Sequence, residues 1–85
     1  MTTDTHRTID AVWKMEAPKL IAALARMVHD VAVAEDLAQD ALLAALEQWP
    51  RTGIPDNPAA WLMQAGKNRA IDLYRRQTRV EQKHV

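Results

Sequence analysis

The 85 residues contain no cysteine and no phenylalanine, and only two glycines. Without cysteine there is no disulfide framework and no thiolate chemistry, which fits a reducing cytoplasm. So little glycine beside abundant alanine and leucine argues for an all-helical chain rather than a turn-rich sheet. Aromatic residues are limited to three Trp and one Tyr. No stretch approaches the ~20 apolar residues of a membrane span, and the opening MTTDTHRTID lacks the apolar core of a signal peptide. No Gly-rich phosphate loop or nucleophile motif is present. His6, His29 and His84 show no metal-ligand spacing, and the first and last of them fall in ends expected to be disordered. Neither catalysis nor a cofactor is therefore expected, and the length suits one small soluble domain.

The net charge of zero hides a division. Residues 1–50 carry four cations (Arg7, Lys14, Lys19, Arg26) against eight Asp/Glu, a net of −4. Residues 51–85 carry seven (Arg51, Lys67, Arg69, Arg75, Arg76, Arg79, Lys83) against three, a net of +4. Two readings fit such asymmetry: two different partner surfaces, with the basic half the candidate for phosphate, or a chance excess of exposed charge.

From Thr8 to about Val28, apolar residues at Ile9, Val12, Trp13, Leu20, Leu24, Met27 and Val28 recur with helical spacing. Pro18 removes a backbone donor inside that run, so a kink or break is expected near Ala17. Asp30 suits an N-cap for a second helix over Val31–Trp49. The segment PRTGIPDNP, Pro50 to Pro58, reads as a loop. Asn57-Pro58 then opens a third helix, Asn as cap and Pro at the first helical position. That helix is expected to reach Arg76 or Arg79, with the tail TRVEQKHV fraying or leading into a linker.

On a helical wheel the second helix buries Ala34, Ala38, Ala41, Leu42, Ala45 and Trp49. Opposite lie Asp36, Gln39, Asp40 and Glu47, with Leu43 among them. Two readings fit: a solvated acidic face with one exposed leucine, or a polar-rimmed apolar site for another protein. The third helix buries Ala59, Leu62, Met63, Gly66, Ala70 and Leu73, and Gly66 signals close approach of a neighbouring helix. Its outer stripe is Gln64, Asn68, Ile71, Asp72 and Arg75, in line with Arg79, with Lys67 on one edge and Arg69 and Arg76 on the other. Amides offer donor and acceptor to base edges, and cations offer charge to phosphates, so the stripe suits nucleic acid better than plain solvation. Trp13 and Trp49 suit core packing, while Trp61, at the edge of the wheel, fits either packing or a strand-binding role.

AEDLAQDALLAALEQW (Ala34–Trp49) and NPAAWLMQAGKNRAIDLYRR (Asn57–Arg76), in that order across a short loop, resemble region 2 of bacterial RNA polymerase sigma factors of the extracytoplasmic-function group. The likeness covers about residues 9–79, with 80–85 as the start of a linker. It implies a compact bundle of three or four helices. It also implies that Asp36, Gln39, Asp40 and Leu43 dock on the β′ clamp helices of the polymerase core. Gln64, Asn68, Asp72 and Arg75 would face the promoter minus-ten element, with Lys67, Arg69 and Arg76 on phosphates. The loop, including residues such as Arg51 and Asn57, would take up a flipped base of the non-template strand. An anti-sigma factor is a further partner that the resemblance admits. Two departures are the aromatic-free loop and Ile71, which makes no polar contact. The domain that reads the minus-thirty-five element has no counterpart in these residues, so the chain is expected to be a fragment of a longer initiation factor.

Two other readings remain at this point. A helical interaction module without a DNA role would also present an acidic docking helix. A helix-turn-helix repressor would need a turn of three or four residues, shorter than Pro50–Asn57.

Overall fold

Three apolar periodicities become three helices: α1 (Thr2–Val28), α2 (Val31–Thr52) and α3 (Pro58–Lys83). The computed structural model describes the backbone of residues 2–83 and the side chains of residues 4–79. The last two residues of the expected tail, His84 among them, and the side chains of residues 80–83 lie outside the described residues.

The start of α2 follows from local chemistry. His29 takes a left-handed conformation at φ 58°, and Asp30 is extended at φ −155°, ψ 113°. The Val33 N–H donates to the Asp30 carboxylate at 3.2 Å, satisfying one of the orphan donors of the first turn. With only these two residues as a link, the chain doubles back and α1 makes its broadest contact with α2. Asn57 caps α3 in the same way, its Oδ1 accepting from the Ala60 N–H at 3.1 Å, while Pro58 stands at the first helical position as expected.

Neither interior proline ends its helix. α1 starts at Thr2, so that His6 is helical, and runs unbroken through Pro18. Pro18 is exposed, so the carbonyl it leaves without a helical donor sits near water. Ile9 before it and Leu20 and Leu24 after it are buried in one core, which holds the two halves of the helix together. α2 likewise continues past Trp49 through Pro50 to Thr52. There the Gly53 N–H donates to the Trp49 carbonyl at 2.8 Å, and the Thr52 hydroxyl donates to the Gln48 carbonyl at 3.1 Å. Gly53 closes the helix at φ 90°, a conformation other residues rarely adopt. The connection is therefore the short segment 53–57, and Arg51 belongs to a helix rather than to a loop.

The core is an alanine ladder flanked by larger groups. Ala34, Ala38, Ala41 and Ala45 of α2 are all fully enclosed, and their small side chains let α1 and α3 lie close on either side. Leu24 at 0%, Leu62 at 1% and Trp49 at 1% exposure fill the space between helices, each contributing on the order of 1.5–3 kcal/mol by burial. Leu37 is buried where the wheel had not placed it, and Leu42 is only half-buried. On α3, Leu62, Gly66 and Ala70 are buried, Met63 and Leu73 are half-buried, and Ala59 is exposed. Gly66 does mark a close approach: a Cβ there would lie 3.0 Å from a Leu24 methyl. Trp61 packs edge-on against Trp49, ring centres 5.2 Å apart at 70°, a favourable aromatic geometry. Trp13 is half-buried against the same cluster. The Trp49 Nε1–H is buried without a hydrogen-bond partner.

The molecule measures 52 × 24 × 18 Å, longer than the ~40 Å of a 27-residue helix. From Tyr74 to Arg79 every side chain of α3 is exposed, so this end of the helix contributes nothing to the core.

Candidate protein- and nucleic-acid-binding faces

Because α2 buries its alanine ladder, the opposite side must face outward. Asp36, Gln39, Leu43 and Glu47 are exposed there, Leu43 at 62%. A leucine so exposed between acids is unused by the core. Asp40 stands apart from this group. It is half-buried, and its Oδ2 accepts from the Arg69 Nε–H at 3.3 Å across to α3. The side chains of Arg69 and Asp40 remain 50% and 38% exposed, so this single N–H contact is worth under about 1 kcal/mol.

The α3 stripe is also outward. Gln64, Lys67, Asn68, Ile71, Asp72, Arg75, Arg76 and Arg79 are all exposed. The Gln64 Nε2 donates to the Asn68 Oδ1 at 2.9 Å. That bond orients both amides and leaves the Gln64 carbonyl and the Asn68 amino group facing solvent.

The structure brings together residues that the wheels had treated as two separate surfaces. Val33, Asp36, Leu37 and Asp40 of α2 and Arg69, Asp72, Leu73, Arg76 and Gln77 of α3 line one groove of about 340 Å³. The cations of α3 thus divide in two. Arg69 and Arg76 look into a groove that also holds Asp36, Asp40 and Asp72. Arg75 and Arg79 instead line a shallow depression on the outer side of α3 with Ile71, Tyr74 and Thr78, and among the described residues no acid lines it. The outer group is therefore the better placed for phosphates, and Arg69 is already engaged.

The remaining candidates lie elsewhere. Arg51 is exposed in the last turn of α2. Asn57 spends its carbonyl oxygen on the α3 cap and lines a separate depression with Val12, Met15, Glu16, Pro58 and Ala59. In the connecting segment, Ile54 packs on the core. Tyr74, one turn from Ile71 and beside Lys67 on the wheel, is an exposed aromatic that the sequence reading left unassigned. The Asp40–Arg69 pair, 29 residues apart, had no signal in the sequence. Among the described residues no group of His, Asp and Glu is arranged to hold a metal, and no helix is long and apolar enough to cross a membrane.

Comparison with known proteins adds an independent line. Residues 12–80 match the family described as Sigma-70 region 2. An uncharacterized protein of Rhizobium meliloti (strain 1021) is 44% identical over 71 residues, which is 84% of this chain and 17% of that protein. The chain thus spans about a sixth of the length of that relative. No solved structure gives a significant match.

Proposed function

Since the chain belongs to the sigma-70 region 2 family, we propose that it is the part of a bacterial transcription initiation factor that docks on core RNA polymerase and opens promoter DNA in the cytoplasm. The observation that carries this reading is the placement of two unlike outer faces on adjacent helices of one core. One is an acid-rimmed exposed leucine on α2, and the other is a stripe of amides and cations on α3. In this reading Asp36, Gln39 and Leu43 meet the β′ clamp helices. Leu43 supplies apolar contact inside a polar rim, and Asp40 takes part while holding Arg69.

Gln64, Asn68 and Asp72 face base edges of the minus-ten element on the non-template strand, while Arg75 and Lys67 hold phosphates. Arg51 and Asn57 border the segment toward which a displaced base would turn. Drawing a base from the duplex costs a few kcal/mol, which contacts to the freed strand offset. Phosphate contacts position the domain and make binding salt-dependent, and base-edge contacts select sequence. A domain with so modest a charge binds DNA weakly alone. Docking on polymerase raises the effective concentration of the promoter and supplies the rest. An anti-sigma factor that covered the α2 face would block docking.

The test is fluorescence anisotropy of labelled non-template minus-ten oligonucleotides, scanned over sequence, with and without a β′ clamp-helix fragment. Sequence-selective binding that strengthens with the fragment is the expected result. Asp36→Arg should weaken fragment association at unchanged circular dichroism, and Asn68→Ala should weaken oligonucleotide binding more than fragment association. Clamp-helix binding without oligonucleotide binding in any condition would leave an interaction module with no DNA role. Equal effects of the two substitutions in both assays would remove the division of faces.

A further inference from the structure

By position Arg69 belongs to the cationic edge of α3 and Asp40 to the acid-rimmed face of α2, yet each holds the other. The Arg69 Nε–H donates to the Asp40 Oδ2 at 3.3 Å across the groove between the helices. Both side chains stay substantially exposed, so each has solvent to turn into on the fast timescale of exposed rotamers. The surroundings decide what Arg69 can meet while it stays paired. Asp36, Asp40 and Asp72 line the groove against Arg69 and Arg76, three carboxylates to two guanidiniums. A phosphate entering there meets an excess of negative charge. Arg69 therefore becomes a phosphate ligand only by leaving Asp40. The converse holds on α2, where a cationic side chain of a docking partner finds Asp36 exposed but Asp40 already neutralised. Both ligands thus compete with one internal ion pair, and neither competes with the other. Whichever binds first breaks the pair and spares the second that cost, so the two favour each other equally.

Building on the docking and DNA-binding reading above, we propose that the Asp40–Arg69 pair is a latch shared by the two faces. In the free domain it masks one acid of the docking face and one cation of the DNA face. A cationic side chain of the docking partner takes Asp40, and Arg69 swings out of the groove onto a strand phosphate. The latch acts even with a separate clamp-helix fragment, where tethering supplies nothing. Its size is bounded, because an ion pair this exposed contributes little. Through it each partner strengthens binding of the other by up to about fivefold.

The experiment compares wild type, Asp36→Asn, Asp40→Asn, Arg69→Gln and the variant carrying both Asp40→Asn and Arg69→Gln for binding to a fluorescein-labelled single-stranded minus-ten oligonucleotide. Each is measured with and without saturating clamp-helix fragment, and circular dichroism checks the fold. Without fragment, Asp40→Asn should bind the oligonucleotide up to about fivefold more tightly than wild type. Asp36→Asn removes the same charge from the same groove without touching Arg69, and should change binding far less. The gain from Asp40→Asn should vanish in the Arg69→Gln background. The factor by which fragment strengthens oligonucleotide binding should shrink in both Asp40→Asn and Arg69→Gln. Log–log salt slopes of wild type and Arg69→Gln should differ more with fragment than without it, approaching the value of about 0.7 for one single-strand phosphate contact. Equal gains from Asp36→Asn and Asp40→Asn would show a general field effect and overturn the latch. Weaker oligonucleotide binding by Asp40→Asn would make Asp40 a support that aims Arg69 at phosphate, which also overturns it. If Arg69→Gln binds like wild type with fragment present, Arg69 meets no phosphate, and the latch is wrong while the DNA-binding reading stands on Arg75. If wild type binds no oligonucleotide in any condition, that reading falls and the latch falls with it.

Discussion

Gly66 sets how closely α3 lies on α1, and replacing it with alanine opposes two effects of similar size. In a free helix Gly→Ala stabilises by about 1 kcal/mol. Here the new Cβ would stand 3.0 Å and 3.2 Å from the two Leu24 methyls and 3.6 Å from its Cγ. Optimal carbon–carbon contact is about 3.5–4.0 Å, so both methyls must move by several tenths of an ångström. Leu24 is 0% exposed and has no solvent to move into, and such overpacking costs about 1–3 kcal/mol. The atoms in the way are the ends of a side chain rather than backbone, which favours the lower part of that range. Gly66→Ala should therefore destabilise by at most about 1 kcal/mol net, which lowers the melting temperature by up to about 4–8 °C in a domain of this size. Urea unfolding followed by far-UV circular dichroism should show a lower midpoint at unchanged slope. The decisive comparison is the same substitution in Leu24→Ala, which alone loses about 2–5 kcal/mol. With the methyls gone, Gly66→Ala should stabilise by up to ~1 kcal/mol, so the double-mutant cycle shows coupling well above the ~0.5 kcal/mol of independent sites. A stabilised Gly66→Ala in the wild-type background, or an equal effect in both, would refute the reasoning.

Two other outcomes follow from the contacts between and within helices. A cycle of Asp40→Asn and Arg69→Gln should show coupling under about 1 kcal/mol that shrinks as salt rises, because both groups are substantially exposed; coupling above about 2 kcal/mol would mean a far drier pair. Asn57→Ala should lower stability by about 0.5–2 kcal/mol through loss of the bond to the Ala60 N–H, and Asn57→Ser should recover most of it. Equal melting of Asn57→Ala and Asn57→Ser would show that the cap contributes nothing.

Much of this molecule is legible in one dimension. The Asp30 and Asn57 caps, the helical position of Pro58 and the outward faces of α2 and α3 depend on neighbours within about four residues, the range over which backbone donors are satisfied and side chains share a face. The family motifs lie in the same short windows, which is why the resemblance and the match over residues 12–80 agree. The prolines show where local rules stop. Each removes one donor wherever it stands, but whether the helix ends there depends on what is buried beyond it. Ile9, Leu20 and Leu24 carry α1 past Pro18, while Trp49 and the Gly53 bond carry α2 past Pro50. The functional faces were decided in the same way. Arg69 and Arg75 both read as outward cations in the sequence, yet packing sets one against Asp40 and leaves the other beside Tyr74. A side chain's charge and its place on a helix are local properties. The partner it meets is settled only when the alanine ladder draws three helices together, because that contact joins residues distant in the chain.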